Sequence, residues 1–187
     1  MSVRGGWMVN FVRWIVAAAA VTGLVYATVP SLSQPTADAE GTECPAGAKK
    51  ANLDFVVNDM DGQKVNLASF KGKVIVLDFW ATWCPPCRAE IPGFVELQQA
   101  YGDKGLQFVG VSVDADDTPA LLKEFATEHK MNYPVLVGGD RDDVQDAYGP
   151  MWSIPTTFVI ARDGRICRKN AGMVGKQQYE LDIQHLL

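Results

Sequence analysis

The sequence predicts an α/β fold, a central mixed β-sheet with helices on both faces. Three observations carry this reading. Residues 74–80 and 106–113 are nearly continuous apolar runs, as expected of strands covered on both faces. Apolar residues at helical spacing separate and follow them. Two Asp-Gly turns, Asp61-Gly62 and Asp163-Gly164, lie between strand-like runs near the start and end of the folded part.

In chain order, residues 53–57 and 64–67 flank the first turn and form an opening β-hairpin extension. The strand over 74–80 follows, with Asp78 as its one charged residue. Ile91, Phe94, Val95 and Tyr101 then keep helical spacing, and Pro92 is expected to kink that helix because it lacks an N–H. After the strand over 106–113, Thr118-Pro119 reads as an N-cap with proline at the first helical position, opening a helix to about Lys130. A short strand over 134–137 and a short helix over 144–148 come next. Residues 156–161 and 166–171 flank the second turn as a hairpin, and a helix over 176–187 ends the chain.

The chain has 187 residues, so one domain of the usual size, about 100–150 residues, leaves an appendage. No acidic residue precedes Asp38, whereas Arg4 and Arg13 precede 16 uncharged residues, 14–29. As a helix this run reaches about 24 Å, short of a roughly 30 Å hydrocarbon core, unless residues 7–12 are added and Arg13 snorkels. Residues 1–29 therefore read as a membrane anchor or a signal segment cut after Ala37-Asp38-Ala39, with the anchor favoured. Either reading puts the rest of the chain in the periplasm or another extracytoplasmic space, anchored to the inner membrane or secreted after cleavage. Residues 30–52 hold Pro30, Pro35 and Pro45, with Leu32 their one large aliphatic residue, and read as a flexible tether. The folded domain is expected over 53–187. A net charge of -5 argues against a nucleic-acid partner. A monomer is expected, without cofactor or metal.

The chemistry lies in Trp83-Cys84-Pro85-Pro86-Cys87, where a strand hands over to a helix. Aligned peptide dipoles and free N–H groups at a helix start favour an anion, so a Cys84 thiolate is stabilised there. Cys84, at the open end, attacks a partner disulfide; Cys87, turned into the helix, resolves the mixed disulfide. A structural zinc site needs four ligands, and neither a second such pair nor a nearby His supplies them.

Phe79-Trp80-Ala81-Thr82-Trp83-Cys84-Pro85-Pro86-Cys87, followed much later by Ile154-Pro155-Thr156-Thr157, resembles the thioredoxin superfamily. The apolar N-terminus, the opening hairpin and Glu90 are similar to its TlpA/ResA-like branch of membrane-tethered extracytoplasmic thiol-disulfide oxidoreductases. The resemblance implies a thioredoxin-like fold and a reductant in cytochrome c or oxidase copper-site maturation. Its expected partners are client proteins carrying a disulfide and a membrane thiol reductase as electron donor. It implies that Pro155 is a cis-proline packing against the disulfide, its preceding backbone pairing with an extended substrate. It also implies that Asp78 is the buried carboxylate handling the proton of the resolving cysteine, and Glu90 an acid beside the disulfide. Burial raises the pKa of such an acid. A non-catalytic binding module or chaperone of the same fold, and a peroxidase of related fold, are the alternatives.

Pro85 and Pro86 lack an N–H, so few donors reach a Cys84 thiolate, which favours the disulfide and makes the dithiol a reductant; Arg88 acts in the opposite sense. Trp80, Trp83, Met151, Trp152 and Ile154 are candidates for an apolar platform binding the substrate, with Trp83 and Trp152 the ones expected to be exposed. Cys44 and Cys167 are candidates for a structural disulfide pinning the tether to the sheet edge. Asp114, Asp116 and Asp117 read as acids at a helix start. The stretch from Gly138 to Asp143 lacks the pattern of a calcium loop, and His129 and His185 have no triad companions.

Overall fold

The computed structural model describes residues 44–149 and 151–187, and the anchor and most of the tether read from the sequence lie outside them. Within the described residues, no helix is long and apolar enough to cross a membrane.

A two-stranded antiparallel hairpin, β1 (Val56–Asn58) and β2 (Lys64–Asn66), opens the domain. Asp59 closes its turn, its Oδ1 accepting from the N–H groups of Asp61 and Gln63 at 2.9 and 2.8 Å. Gly62 there takes a φ of +75°, which glycine adopts without steric cost. The five-stranded sheet has the order β5-β4-β3-β6-β7. It comprises β3 (Val74–Trp80), β4 (Leu106–Ser112), β5 (Val135–Val137), β6 (Thr156–Ile160) and β7 (Ile166–Ala171). The first three run parallel and β6 and β7 antiparallel to their neighbours. The helices are α1 (Pro85–Tyr101), α2 (Pro119–Glu128), α3 (Asp142–Ala147) and α4 (Lys176–Leu186). The helix α1 runs through Pro92 without a break.

Side-chain alternation along β3 sorts the layers. Ile75, Leu77 and Phe79 face the hairpin and α3 in a cluster with Val57, Leu67 and Val144. Val74 and Val76 face α1 and α4, packing with Phe94, Leu97, Tyr179 and Ile183. Trp80 continues that second face onto Ile91 of α1 and Leu122 and Phe125 of α2. Right-handed crossovers from β3 to β4 to β5 put α1 and α2 on the same face, so the sheet carries three helices on one side and α3 with the hairpin on the other.

The folded unit reaches back nine residues beyond the expected boundary at Leu53, to Cys44. Lys50 forms an antiparallel bridge with Arg165, and the Ala51 and Ile166 N–H groups donate to Gly164 and Lys49 carbonyls, both at 2.9 Å. Backbone pairing along an edge strand needs no large side chains, so a tract poor in aliphatic residues can still dock. The other edge meets the hairpin, where Asp59 bridges Leu136 of β5.

Gly138 and Gly139 let the turn after β5 press on the loop after β4. A Cβ on Gly139 would meet the backbone of Asp114 and, at 2.6 Å, the nitrogen of Ala115. Gly139→Ala is therefore expected to destabilise the domain by about 1–3 kcal/mol, the usual cost of overpacking. Thermal unfolding of the variant checks it, and an unchanged midpoint contradicts it.

Candidate active site

Cys84 is the N-cap of α1, with φ -81° and ψ 108°, and Pro85 and Pro86 fill the first two helical positions. Prolines fit there because those N–H groups have no partner inside a helix. The consequence is electrostatic: the Cys87 N–H, at 3.3 Å, is the backbone donor that reaches Cys84 Sγ. Cys84 and Cys87 are joined as a disulfide, with Cα atoms 5.3 Å apart. Both sulfurs sit among Trp80, Ala81, Ile91 and Leu122.

Contrary to the expectation of an open Cys84, this residue is 2% exposed in the disulfide form. The cover comes from the loop before β6, where the Ile154 carbonyl oxygen lies 3.7 Å from Cys84 Sγ. The Ile154–Pro155 peptide is cis. The Pro155 carbonyl accepts from the Gly172 N–H at 2.7 Å, and Thr156 Oγ1 donates to the Ser153 carbonyl at 2.6 Å. Trp83 and Trp152 stand out beside this junction, 63% and 90% exposed. The five-residue platform is not assembled. Trp80 is fully buried, Met151 packs on the hairpin-side core, and Ile154 packs partly buried against the disulfide cluster.

The acids after β4, read from the sequence as a helix start, do more than that. Asp117 is buried, and its carboxylate accepts from Thr82 Oγ1 (2.6 Å), the Thr82 N–H (3.2 Å) and Ser112 Oγ (2.6 Å). Asp114 accepts from the Trp83 indole N–H and from the Asp116 N–H at 2.8 Å. The loop after β4 thus grips the Thr82-Trp83 segment that delivers Cys84. Thr118 caps α2 as expected, accepting from the Leu121 N–H at 3.3 Å.

Beneath α1, Asp78 is buried in β3 opposite Thr157 of β6, whose hydroxyl donates to Asp78 Oδ1 at 3.1 Å. Burial, reinforced by the nearby Glu90 charge, pushes the Asp78 carboxyl up to about 8, with the Thr157 bond opposing the shift. Glu90 lies one helical turn after Cys87 and is also buried. Its Oε1 accepts from the Val174 N–H at 2.7 Å and from Tyr179 Oη at 3.3 Å. Burial raises its carboxyl as well, against those two bonds. Tyr179 Oη is also 3.0 Å from Thr157 Oγ1. Burial first, then the two acids, hold the Tyr133 hydroxyl well above its ordinary value. Thr157 and Tyr179 escaped the sequence reading: Thr157 follows the Pro155 motif and so was findable, whereas Tyr179 reads as one more apolar residue of a helix.

Cys44 and Cys167 are joined as a second disulfide, with Cα atoms 4.4 Å apart and a sequence separation of 123. Among the described residues no group of three or more His, Cys, Asp or Glu side chains could hold a metal ion.

Comparison with known proteins agrees with this geometry. The AhpC/TSA family matches residues 48–169. Thiol-disulfide oxidoreductase ResA of Bacillus thuringiensis subsp. konkukian is 37% identical over 129 residues, 68% of this chain and 71% of that protein. A thiol:disulfide interchange protein of the thioredoxin family from Chlorobium tepidum superposes with a TM-score of 0.68 at 30% identity, over 76% of this chain and 99% of that one. A secreted disulfide oxidoreductase of Mycobacterium tuberculosis superposes with a TM-score of 0.64 at 25% identity, over 72% of this chain and 97% of that one.

The raised Asp78 carboxyl has a consequence for stability. The folded state holds this proton more tightly than the unfolded chain, so its contribution is complete below about pH 4 and is lost as pH rises toward about 8. Asp78→Asn is expected to flatten the decline across that window, whose slope for one proton is at most about 1.4 kcal/mol per pH unit. Denaturant unfolding from pH 4 to 9 checks it; parallel curves for the two proteins refute it.

Proposed function

The chain belongs to the ResA/TlpA-like thiol-disulfide oxidoreductases of the thioredoxin superfamily, and from that premise we propose that it reduces disulfides of client proteins outside the cytoplasm. The observation that carries the direction of electron flow is the proline pair at the start of α1. With Pro85 and Pro86 supplying no N–H, a Cys84 thiolate keeps the single Cys87 donor at 3.3 Å. A thiolate with few donors is poorly stabilised, which favours the disulfide and makes the dithiol a strong electron donor. The Arg88 guanidinium, the one nearby charge that would oppose this, lies 5.6 Å from the Phe125 ring centre, a cation–π position.

The steps follow from that reading. Cys84, reduced and ionised, attacks a client disulfide, and one client sulfur leaves as a thiolate. Cys87 loses its proton to Asp78 and attacks Cys84, so the Cys84–Cys87 bond forms and the second client sulfur departs. Two electrons pass to the client, and a membrane thiol reductase returns them. Trp83 and Trp152 flank the approach, and the backbone before Pro155 receives an extended client segment.

The finer assignments are cytochrome c or oxidase copper-site maturation as the pathway and an inner-membrane anchor over residues 1–29. The secreted Mycobacterium tuberculosis relative supports the extracytoplasmic reading. A peroxidase is the second reading, favoured by the AhpC/TSA match. The resolving cysteine three residues from Cys84, sharing its helix start, favours disulfide exchange.

Three measurements test the proposal together. The Cys84–Cys87 couple is expected toward the reducing end, about -270 mV, and a value near -120 mV overturns the direction. Cys87→Ser is expected to trap a client covalently on Cys84, and Cys84→Ser to trap none. Peroxide consumption faster than client-disulfide reduction replaces the proposal with the second reading.

A further inference from the structure

Asp78 and Glu90 lie on different elements, yet an unbroken line of hydroxyls joins them. From Asp78 Oδ1 it runs to Thr157 Oγ1 (3.1 Å), Tyr179 Oη (3.0 Å) and Glu90 Oε1 (3.3 Å). All four side chains are buried. We propose that these four side chains form a proton relay holding one carboxyl proton, which carries the proton of Cys87 from Asp78 to Glu90 and makes Thr157 and Tyr179 positioning residues of the reaction. The proposal rests on the reading of Asp78 as the proton acceptor for Cys87.

Counting hydrogens gives the argument. The line has three links, and the two hydroxyls supply two hydrogens, so one carboxyl proton fills every link. With the proton on Asp78, each group donates toward Glu90: Asp78 to Thr157, Thr157 to Tyr179, Tyr179 to Glu90. With it on Glu90, every bond reverses. Without it, both hydroxyls donate outward and the Thr157–Tyr179 link has no hydrogen. With two protons there is one hydrogen too many. A buried link left unfilled is costly, so the singly protonated pair is the state the site is built for, and its two forms differ by moving each hydrogen one link along.

The far end lies beside a cleft, with Glu90 Oε2 buried just short of solvent. Glu90 and Tyr179 both line a cleft of about 260 Å³ between α1 and the loop leading into α4. Glu90 Oε2 makes no hydrogen bond within the protein. Other charged and titratable groups near the line are otherwise engaged or uncharged. Lys176, at the cleft, pairs with Glu96. Arg168 of β7 pairs with the buried Asp182 of α4 at 3.6 Å. Tyr133 before β5 keeps its proton, and Asn170 of β7, opposite Thr157 in register, is neutral. No cation competes for the shared proton from these elements.

The step balances. As Cys87 Sγ gives its proton to the ionised Asp78 and attacks Cys84 Sγ, the Cys84–Cys87 bond forms and the Cys84–client bond breaks. The client sulfur leaves with the electron pair and takes a proton from water. Glu90, which carried the pair's one proton while Asp78 was ionised, gives it up toward the cleft; Asp78 then donates to Thr157, Thr157 to Tyr179 and Tyr179 to Glu90, so one proton is shared again and Asp78 is once more an acceptor.

The test is the rate of resolution of a preformed Cys84–client mixed disulfide, measured from pH 5 to 9 on the full chain. Tyr179→Phe and Glu90→Gln are each expected to slow it about tenfold, a modest share of what proton transfer contributes. Because both cut the same line, the double variant should be no slower than either single one. Thr157→Val should match them and Thr157→Ser should restore the rate, while alkylation of reduced Cys84 stays as in the parent. Parent rates in Tyr179→Phe and Thr157→Val overturn the relay. So does a multiplicative loss in the double variant, or equal loss of alkylation and resolution, which marks a purely structural role. A parent rate in Asp78→Asn at every pH instead overturns the acceptor reading beneath it. Slow Asp78→Asn with fast Tyr179→Phe leaves that reading standing and removes the relay alone.

Discussion

A carboxyl group placed in the middle of the best-covered strand is the constraint on which the rest depends. β3 is hydrogen-bonded to β4 on one side and β6 on the other, and all seven of its residues are buried. An acid there is tolerated by being protonated or paired. The antiparallel register that sets Thr157 opposite Asp78 supplies one partner, and it starts β6 just after Pro155. The same pairing that satisfies the acid therefore fixes the loop that covers Cys84. Shifting β6 by one residue would turn Thr157 away from that face and take the Ile154 carbonyl with it.

The site assembles where open α/β sheets bind their ligands, outside the carboxyl ends of parallel strands. β3 ends at Trp80 and delivers Cys84, and β4 ends at Ser112 and delivers Asp114 and Asp117, which hold Thr82 and Trp83. Gly138 and Gly139, just past β5, support that second loop from behind. Three consecutive strand ends thus form a stack in which each loop positions the one before it. Trp83 is exposed because its indole N–H is held by Asp114 at the surface, so a large apolar face remains available to a visitor at little entropic cost.

What could be read from the sequence was local. Every β-strand and α-helix lies within a few residues of where apolar periodicity and turn chemistry put it, and the Thr118 cap and both Asp-Gly turns match their motifs. Cys84, Cys87 and Pro155 stand in recognisable strings. The misreadings share one physical cause, contacts made across long stretches of chain. Asp117 has the local signature of a helix start, but its partners Thr82 and Ser112 arrive from other elements. Cys84 occupies the open end of a helix, yet its cover is Ile154, 70 residues later. The Tyr179 link to Glu90 spans 89 residues and depends on how α4 docks on α1. The pinning of segment 44–52 could be read from Cys44 and Cys167, whereas its backbone pairing beside Arg165 leaves no hydrophobic pattern.

An oxidoreductase that carries a second disulfide must keep the two from exchanging, and the sheet register provides the separation. Pro155 precedes the first residue of β6, while Cys167 follows Ile166, the partner of Ile160 at the other end of that strand. Four residues of extended chain put about 13 Å between those ends. Exchange needs a thiolate in line with a sulfur at bonding distance, and that spacing, with Cys167 buried, denies Cys84 the approach. The two bonds also act on different states. Cys84–Cys87 closes a ring of a few residues and constrains the unfolded chain little, so making and breaking it leaves the fold intact. Cys44–Cys167 closes a loop of 123 residues, for which chain entropy alone gives a stabilisation of nearly 5 kcal/mol on the order-of-magnitude scale for such loops. One disulfide is thereby free to turn over because the other, at the far end of the sheet, is not.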